Sequence, residues 1–306
     1  MTMKPPVGLI GLGQMGLAMA LRLRDGGWPV TVRDLLPERE ALARAAGAQV
    51  AADATQVGVA SELLIVAVVD AAQTEAVLFG SAFGSEGAAS AMPTGAVVML
   101  CPTIAPADVE RFAARLQGLG LGCIDAPMSG GPARARDGSM SLMVACADAF
   151  FERHQALLRH LASRLFRVGP RCGDGARTKL VNNLLAAANL GAACEALALA
   201  DRVGLDRRQT LAVIEQSSGQ SWIAGDRLTR LFAGDDGQPR ARMALLAKDS
   251  ALAMAMAAQA GVVPALGQQA AALFRAACDA GLTDADDSQL FSLLLAQQHS
   301  ISQLPK

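Results

Sequence analysis

The 306-residue chain has no excess of charge of either sign: Lys and Arg total 27 against 28 Asp and Glu, a net charge of -1. That balance excludes nucleic acid or an acidic membrane surface as the main partner, so selectivity for a small anion has to be local. The sequence also lacks CxxC pairs. Its six cysteines, Cys101, Cys123, Cys146, Cys172, Cys194 and Cys278, stand apart from one another and from the three histidines. No metal-site spacing is present, and reduced core or surface thiols in a reducing cytoplasm are the expectation. Hydrophobic residues make up 52% of the chain. Much of that is alanine, however, and no stretch of about 18 residues runs without polar interruption, which argues against a membrane span. No basic, apolar and small-residue signal precedes the first apolar run. Internal repeats and low-complexity linkers are absent too.

What is present is length and a change of pattern along it. Single cores stop growing at about 250–300 residues, so two domains are expected. Up to about residue 168 strand-like and helix-like segments alternate, the βαβ signature of an open parallel sheet. Strands are predicted at 6–10, 29–33, 63–69, 96–100, 121–125, 140–145 and 164–168, and helices at 15–26, 37–46, 53–58, 72–79, 106–117 and 148–159. Beyond Gly173-Asp174-Gly175 the strand signals stop. A long Ala/Leu-rich helix is predicted from Ala176 to Val203, ended by Gly204, with further helices at 207–217, 220–231, 241–260, 263–280 and 287–297. The expected architecture is a Rossmann-type parallel-sheet domain over 1–173, then an all-helical domain over 174–306 joined through the long helix, with the substrate in a cleft between the two. The apolar excess of the second half implies helices buried on several sides, including against another subunit.

The most specific signal is Val7-Gly8-Leu9-Ile10-Gly11-Leu12-Gly13-Gln14-Met15-Gly16. It joins a short apolar strand to a G-x-G-x-x-G turn opening a helix. Gly11 permits the tight turn, Gly13 lets backbone approach a pyrophosphate, and Gly16 allows close helix-strand packing, while first-turn amides face the anion. The second strand ends at Asp34, about twenty residues on, where a carboxylate accepts from both ribose hydroxyls and repels a 2'-phosphate. NAD is therefore expected over NADP. The competing reading is that Asp34 caps the helix opening at Pro37-Glu38, and Arg33 and Arg39 are close enough in sequence to serve a phosphate.

Two further places carry chemistry. Asp125-Ala126-Pro127-Met128-Ser129-Gly130-Gly131-Pro132 follows a strand and supplies a hydroxyl and several backbone amides in a glycine-permitted turn, a nest for a carboxylate, although Pro and Gly clusters are also ordinary turn material. Lys179 and Asn183 lie four residues apart on the long helix and project from one face. A helix lysine is usually a solvated charge. Here Leu180, Val181, Leu184 and Leu185 leave little solvent face, and a buried ammonium is costly unless pairing or function retains it.

Taken together these motifs resemble the β-hydroxyacid dehydrogenase family, which contains 3-hydroxyisobutyrate dehydrogenase and tartronate semialdehyde reductase. The resemblance covers nearly the whole chain through the glycine turn 8–16, the segment 125–131, Gly173-Asp174-Gly175 with Lys179 and Asn182-Asn183, and Lys248-Asp249. It implies Lys179 as the catalytic lysine and Asn183 as an orienting group. Ser129, Gly130 and Gly131 are implied to hold the substrate carboxylate, with Trp222 of Ser217-Ser218-Gly219-x-x-Trp222 lining the substrate side. Gly11, Gly13, Gln14, Met15, Gly16, Asp34, Val69, Thr103 and Asp249 fall to the cofactor, and Lys248 to cofactor and substrate; no metal is implied. Arg22, Asp70 and Pro102 depart from the family pattern, as does the segment from Asp226-Arg227 to Arg240, where Arg227 or Arg240 would suit a more polar acid if not simply solvated.

The reaction implied is reversible oxidation of a small 3-hydroxy acid (3-hydroxyisobutyrate, glycerate/tartronate semialdehyde, threonate or serine class) with NAD, or NADP, by a homodimer or homotetramer built through the helical domain. Lys179 would take or return the hydroxyl proton if burial and a nicotinamide cation draw its ammonium toward the working pH. Imine-reducing and phosphogluconate-type enzymes share the scaffold. The first generally changes the Lys179 position, and the second carries a long C-terminal extension. A non-catalytic NAD-binding scaffold protein would not require the lysine, the amide and the serine-glycine turn together.

Overall fold

The structure is a computed structural model that describes residues 4–80, 86–234 and 239–301, with side chains to residue 297. The chain forms two compact units that divide between Lys179 and Leu180.

In the first unit, strands β1 (Val7–Ile10), β2 (Val30–Arg33), β3 (Gln49–Val50), β4 (Leu63–Val66), β5 (Val97–Leu100) and β6 (Gly122–Asp125) pair in parallel in the order β3-β2-β1-β4-β5-β6. The connecting helices are α1 (Gln14–Asp25), α2 (Pro37–Ala45), α3 (Ala54–Val59), α4 (Ala71–Phe79) and α5 (Pro106–Gly118). Strands covered on both faces need uninterrupted apolar runs, and β4, Leu-Leu-Ile-Val, is buried throughout. Its Leu63 and Ile65 join Leu9, Met19 and Leu23 in one core, while Leu64 and Val66 join Val98, Phe112 and Leu116 in the other. Each such side chain contributes about 1.5–3 kcal/mol by leaving water.

After β6 the sheet departs from the all-parallel expectation. β7 (Met128–Ser129) and β8 (Ser141–Ala145), joined by α6 (Gly131–Asp137), run antiparallel, and β6 and β7 meet β8 in a single register: Asp125 opposite Ala145, Met128 opposite Leu142, Ser129 opposite Ser141. A parallel return would need a crossover of a dozen or more residues, and only the seven-residue α6 is available. Neither β7 nor α6 is foreseen in the sequence, because Pro-Met-Ser-Gly-Gly-Pro has the composition of a plain turn. After α7 (Asp148–Leu161), β9 (Arg164–Gly169) closes the sheet in parallel with β8.

The last residues of this unit begin α8 (Asp174–Arg202), which continues into the second unit. Gly173 occupies the N-cap position with φ +101, and its carbonyl receives the Arg177 amide at 2.9 Å. Having no side chain, it cannot accept the amides of the first turn. Asp125 does so from the end of β6, its Oδ2 accepting from the Gly173 amide at 2.8 Å and the Ala176 amide at 3.1 Å. These are the two donors that a capping box satisfies with two local side chains.

The second unit is helical: the remainder of α8, then α9 (Arg207–Glu215), α10 (Trp222–Ala233), α11 (Met243–Gln259), α12 (Ala265–Ala277) and α13 (Leu290–Ile301). Leu190, Cys194 and Leu197 of α8 share its core with Leu228, Phe232, Met243 and Phe274. Among the described residues α8 is the one helix long and apolar enough to cross a bilayer by length and composition. Its place in this core is that of an internal helix.

The capping carboxylate has a measurable signature. Asp125 is 1% exposed, and burial pushes its carboxyl from 3.8 up to about 6 against the pull of the Ala176, Gly173 and Gly175 amides. The fold therefore favours the protonated form. Asp125's contribution to stability is complete below about pH 4 and is lost as the pH rises through about 6. In urea titrations at about pH 4.5 and pH 7.5, Asp125→Asn is expected to gain stability relative to the wild type at the higher pH. A wild-type-to-variant difference that stays constant across that window contradicts the assignment.

Candidate active site

The strand order places the first unit's chemistry at one edge. Between β1 and β4 the winding of the sheet reverses, and ligands of such sheets bind outside the carboxyl ends of the strands at that point. Gly11–Gly16 follows β1, Asp34 follows β2, Val69 follows β4, Thr103 follows β5, and Ser129 lies just beyond β6.

The glycine turn has the geometry that each of its three positions requires. Gly11 has φ +96, and a Cβ there would lie 2.6 Å from the Ala67 carbonyl oxygen. At Gly16 a Cβ would stand 1.8 Å from the Gly11 oxygen, so a side chain would force α1 away from β1. Gly13 is different: open space surrounds its missing Cβ, as backbone needs if a pyrophosphate is to approach it. Gln14 and Met15 open α1 directly behind. The pattern of two closed positions and one open one fits a dinucleotide.

Asp34 is held for a role at the same edge. Its Oδ2 accepts from the Leu12 amide inside the glycine turn, and Oδ1 accepts from the Leu36 amide at 2.9 Å. The bond to Leu36 is a local turn and not a helix cap; the N-cap of α2 is Leu36, which has no side-chain cap. Arg33, considered as a phosphate partner, is paired with Glu40 at 2.5 Å. Burial alone would raise the Glu40 carboxyl, but the Asp34 amide and the Arg33 guanidinium hold it below its usual value. Leu35, beside Asp34, is 88% exposed, an apolar surface at the end of β2 that no sequence periodicity marks.

Gly130 (φ +127) and Gly131 (φ +78) turn the chain immediately after Ser129, and open space lies where a Gly131 Cβ would be. The Gly173-Asp174-Gly175 signal also has a cause. Gly173 takes a positive φ, and a Cβ on Gly175 would stand 2.8 Å from both Asp125 Cγ and the Met143 carbonyl oxygen. Lys179, five residues after the start of α8, is 8% exposed.

In the second unit, Asn183 follows Lys179 by one helical turn and is equally buried. Its Nδ2 donates to Asp249 Oδ2 at 2.6 Å, its Oδ1 accepts from Asn182 at 3.1 Å, and Lys248 Nζ donates to Asp249 Oδ1 at 2.8 Å. Sequence reasoning placed Asp249 with the cofactor and gave Asn182 no role. In the structure both oxygens of Asp249 accept hydrogen bonds, one from Asn183 and one from Lys248. Trp222 begins α10 and is half exposed.

Arg22, Asp70 and Arg227, which depart from the family pattern, have structural explanations. Arg22 donates to the His160 carbonyl at 3.1 Å and lies against Gly138. Asp70 is the N-cap of α4, accepting from the Gln73 amide at 2.8 Å, and Gln73 returns a bond to the Val69 amide at 3.1 Å. Arg227 is not a solvated loop charge: it lies within α10, largely buried, pairing with Asp287 at 2.7 Å and Asp226 at 2.5 Å. The Arg240 amide donates to Asp286 at 2.9 Å. Residues 235–238 of that segment lie outside the described residues.

Comparison with known proteins agrees with this geometry. Residues 6–169 match the family described as the NAD binding domain of 6-phosphogluconate dehydrogenase, and residues 173–294 match the NAD-binding family of NADP-dependent 3-hydroxyisobutyrate dehydrogenase. The chain is 34% identical to the L-threonate dehydrogenase of Cupriavidus necator over 94% of its own length and 95% of that protein's. With the human mitochondrial 3-hydroxyisobutyrate dehydrogenase it shares 30% identity, covering 96% of this chain and 88% of that one. A crystal structure of 3-hydroxyisobutyrate dehydrogenase from Salmonella typhimurium superposes with a TM-score of 0.86 at 33% identity, over 95% of this chain and all of that one. A glycine turn shaped for a dinucleotide, a buried lysine on α8 and relatives matched end to end lead to one statement: the chain belongs to the β-hydroxyacid dehydrogenase family, the NAD(P)-dependent oxidoreductases that act on the CH-OH group of hydroxy acids.

Proposed function

We propose that the protein catalyses the reversible NAD-linked oxidation of a small polyhydroxy acid of the threonate class, with Lys179 moving the hydroxyl proton. The observation that carries the reading is a lysine only 8% exposed, one turn before an equally buried asparagine, on a helix capped from the strand that leads to Ser129. Support for the substrate class comes from the relatives, since identity to L-threonate dehydrogenases reaches 34% and to mammalian 3-hydroxyisobutyrate dehydrogenases 30%.

Oxidation of a carbinol removes a hydride and a proton. The nicotinamide, when bound, supplies the hydride acceptor. The groups that hold the dinucleotide are the amides around Gly13, Gln14 and Met15, the Asp34 carboxylate, and the chain at Val69 and Thr103. Asp34 favours an unphosphorylated ribose, and the engagement of Arg33 by Glu40 adds to that preference. Ser129 Oγ and the amides of Gly130 and Gly131 bind the substrate carboxylate, which fixes the carbinol before reaction; proximity of this kind supplies several kcal/mol, roughly, toward the barrier. Lys179 Nζ accepts the hydroxyl proton in oxidation and returns it in reduction. Asn183 orients the same oxygen without adding charge, its own amide fixed by Asp249. Trp222 and Lys248 are the residues proposed for the rest of the acid.

The same reading includes self-association through the helical unit and a cytoplasmic setting. Val181, Leu185 and Leu199 of α8, with Val203 just beyond its end, are all at least 60% exposed, an apolar surface that a second copy would cover. The six free cysteines suit a reducing compartment.

Turnover is tested by NADH absorbance with threonate, 3-hydroxyisobutyrate, serine, glycerate and 4-hydroxybutyrate. Threonate should give the highest kcat/KM, and NAD should exceed NADP by about tenfold or more. No turnover with any acid despite NAD binding overturns the enzyme reading; equal use of NADP removes Asp34 from its role. Lys179→Ala should lower kcat by about 10²–10⁴-fold with NAD binding nearly unchanged. Activity within a few-fold of the wild type would exclude Lys179 as the proton-transfer group.

A further inference from the structure

We propose that Asp125 is a positioning residue for the reaction: by holding the first turn of α8 against β6, its carboxylate sets the place from which Lys179 acts. The inference rests on the reading of Lys179 as the proton-transfer group.

Three observations converge on it. The N-cap of α8 is a glycine, so alignment of the first turn depends on the bonds from Asp125 Oδ2 to the Gly173 and Ala176 amides. The helix is also pressed against the sheet as closely as backbone allows, since a Cβ on Gly175 would lie 2.8 Å from Asp125 Cγ. Lys179 follows Ala176 by three residues, a rise of about 4.5 Å, so a shift of the first turn passes directly to the lysine. Finally, β6 and β7 form one run in a single register against β8. Asp125 and Ser129 therefore belong to one stiff segment, which links the turn assigned to the substrate carboxylate with the helix that carries the proton acceptor.

The choice of residue supports a role beyond capping. A local Ser, Thr, Asp or Asn at the N-cap position would satisfy the same helix end from its own chain segment. Burying an acid instead, among Cys101, Cys123, Cys146 and Cys172 and near Asp174, costs enough that its carboxyl titrates at about 6. What a local cap does not provide is a fixed distance between helix and strand. Misplacement by about 1 Å can cost about 10²-fold in rate.

The test uses the full-length enzyme and two readouts. In Asp125→Ala, kcat should fall by about 10²-fold while KM for the acid and for NAD stay within about threefold, and Asp125→Asn, which keeps an acceptor oxygen, should recover most of that loss. The second readout does not depend on turnover. The chain has only four lysines, Lys4, Lys179, Lys248 and Lys306, so acetic anhydride labelling read by mass spectrometry resolves each. Lys179 should label several-fold faster in Asp125→Ala, with Lys4 and Lys248 unchanged. Where Asp125→Ala does not fold, Gly175→Ala displaces the same turn with the carboxylate retained, and the same kcat loss and Lys179 labelling are expected. A folded variant with kcat within about twofold of the wild type and unchanged Lys179 labelling overturns the proposal. If the wild type oxidises no hydroxy acid, the proposed function fails, and Lys179 labelling alone then decides the role of Asp125.

Discussion

The residue that caps helix α8, Gly173, has no side chain, so the amides at this helix end must be satisfied from elsewhere, and those of Gly173 and Ala176 are satisfied by a single carboxylate from a strand 48 residues earlier. Much of the local structure follows from that contact. Gly173 has to adopt a positive φ to enter the helix, Gly175 has to lack a Cβ to let the helix approach, and β6 has to end in an acid although the whole strand is buried. The arrangement retains a buried carboxylate that burial disfavours. It joins two sequence motifs, around residues 125–131 and 173–179, that are far apart along the chain and form one piece of structure.

The second unit contains a comparable device. Asp249 uses one oxygen for Asn183 and the other for Lys248. A buried acid with two charged or polar partners is well satisfied and rigid, whereas a half-satisfied one would destabilise its surroundings. The buried pair of Arg227 and Asp287 works in the same way between α10 and the turn before α13. There the two groups satisfy each other, which accounts for an arginine that is largely buried.

Much of the fold was legible from letters. The alternation of apolar runs and helix signals located the parallel strands and their helices because strands buried on both faces and helices capped by Pro or Asp leave patterns at short range. The glycine turn was legible for the same reason, since its three roles are backbone constraints at fixed offsets. The reversal at β7 and α6 was not, because a two-residue strand exists only by pairing with β8. β3, equally short, was missed on the same ground.

Sequence alone determined the dinucleotide turn, the acid at the end of β2, the helical second half and the presence of a lysine and an asparagine one turn apart on an apolar helix, because each is a property of neighbours in the chain. Tertiary structure decided which acids act through other groups: Asp125 on the start of α8, Asp249 on Asn183, Glu40 on Arg33. Those contacts span 48, 66 and 7 residues. The two long ones leave no periodicity to read, and even the shortest depends on how a strand end meets the helix that follows it.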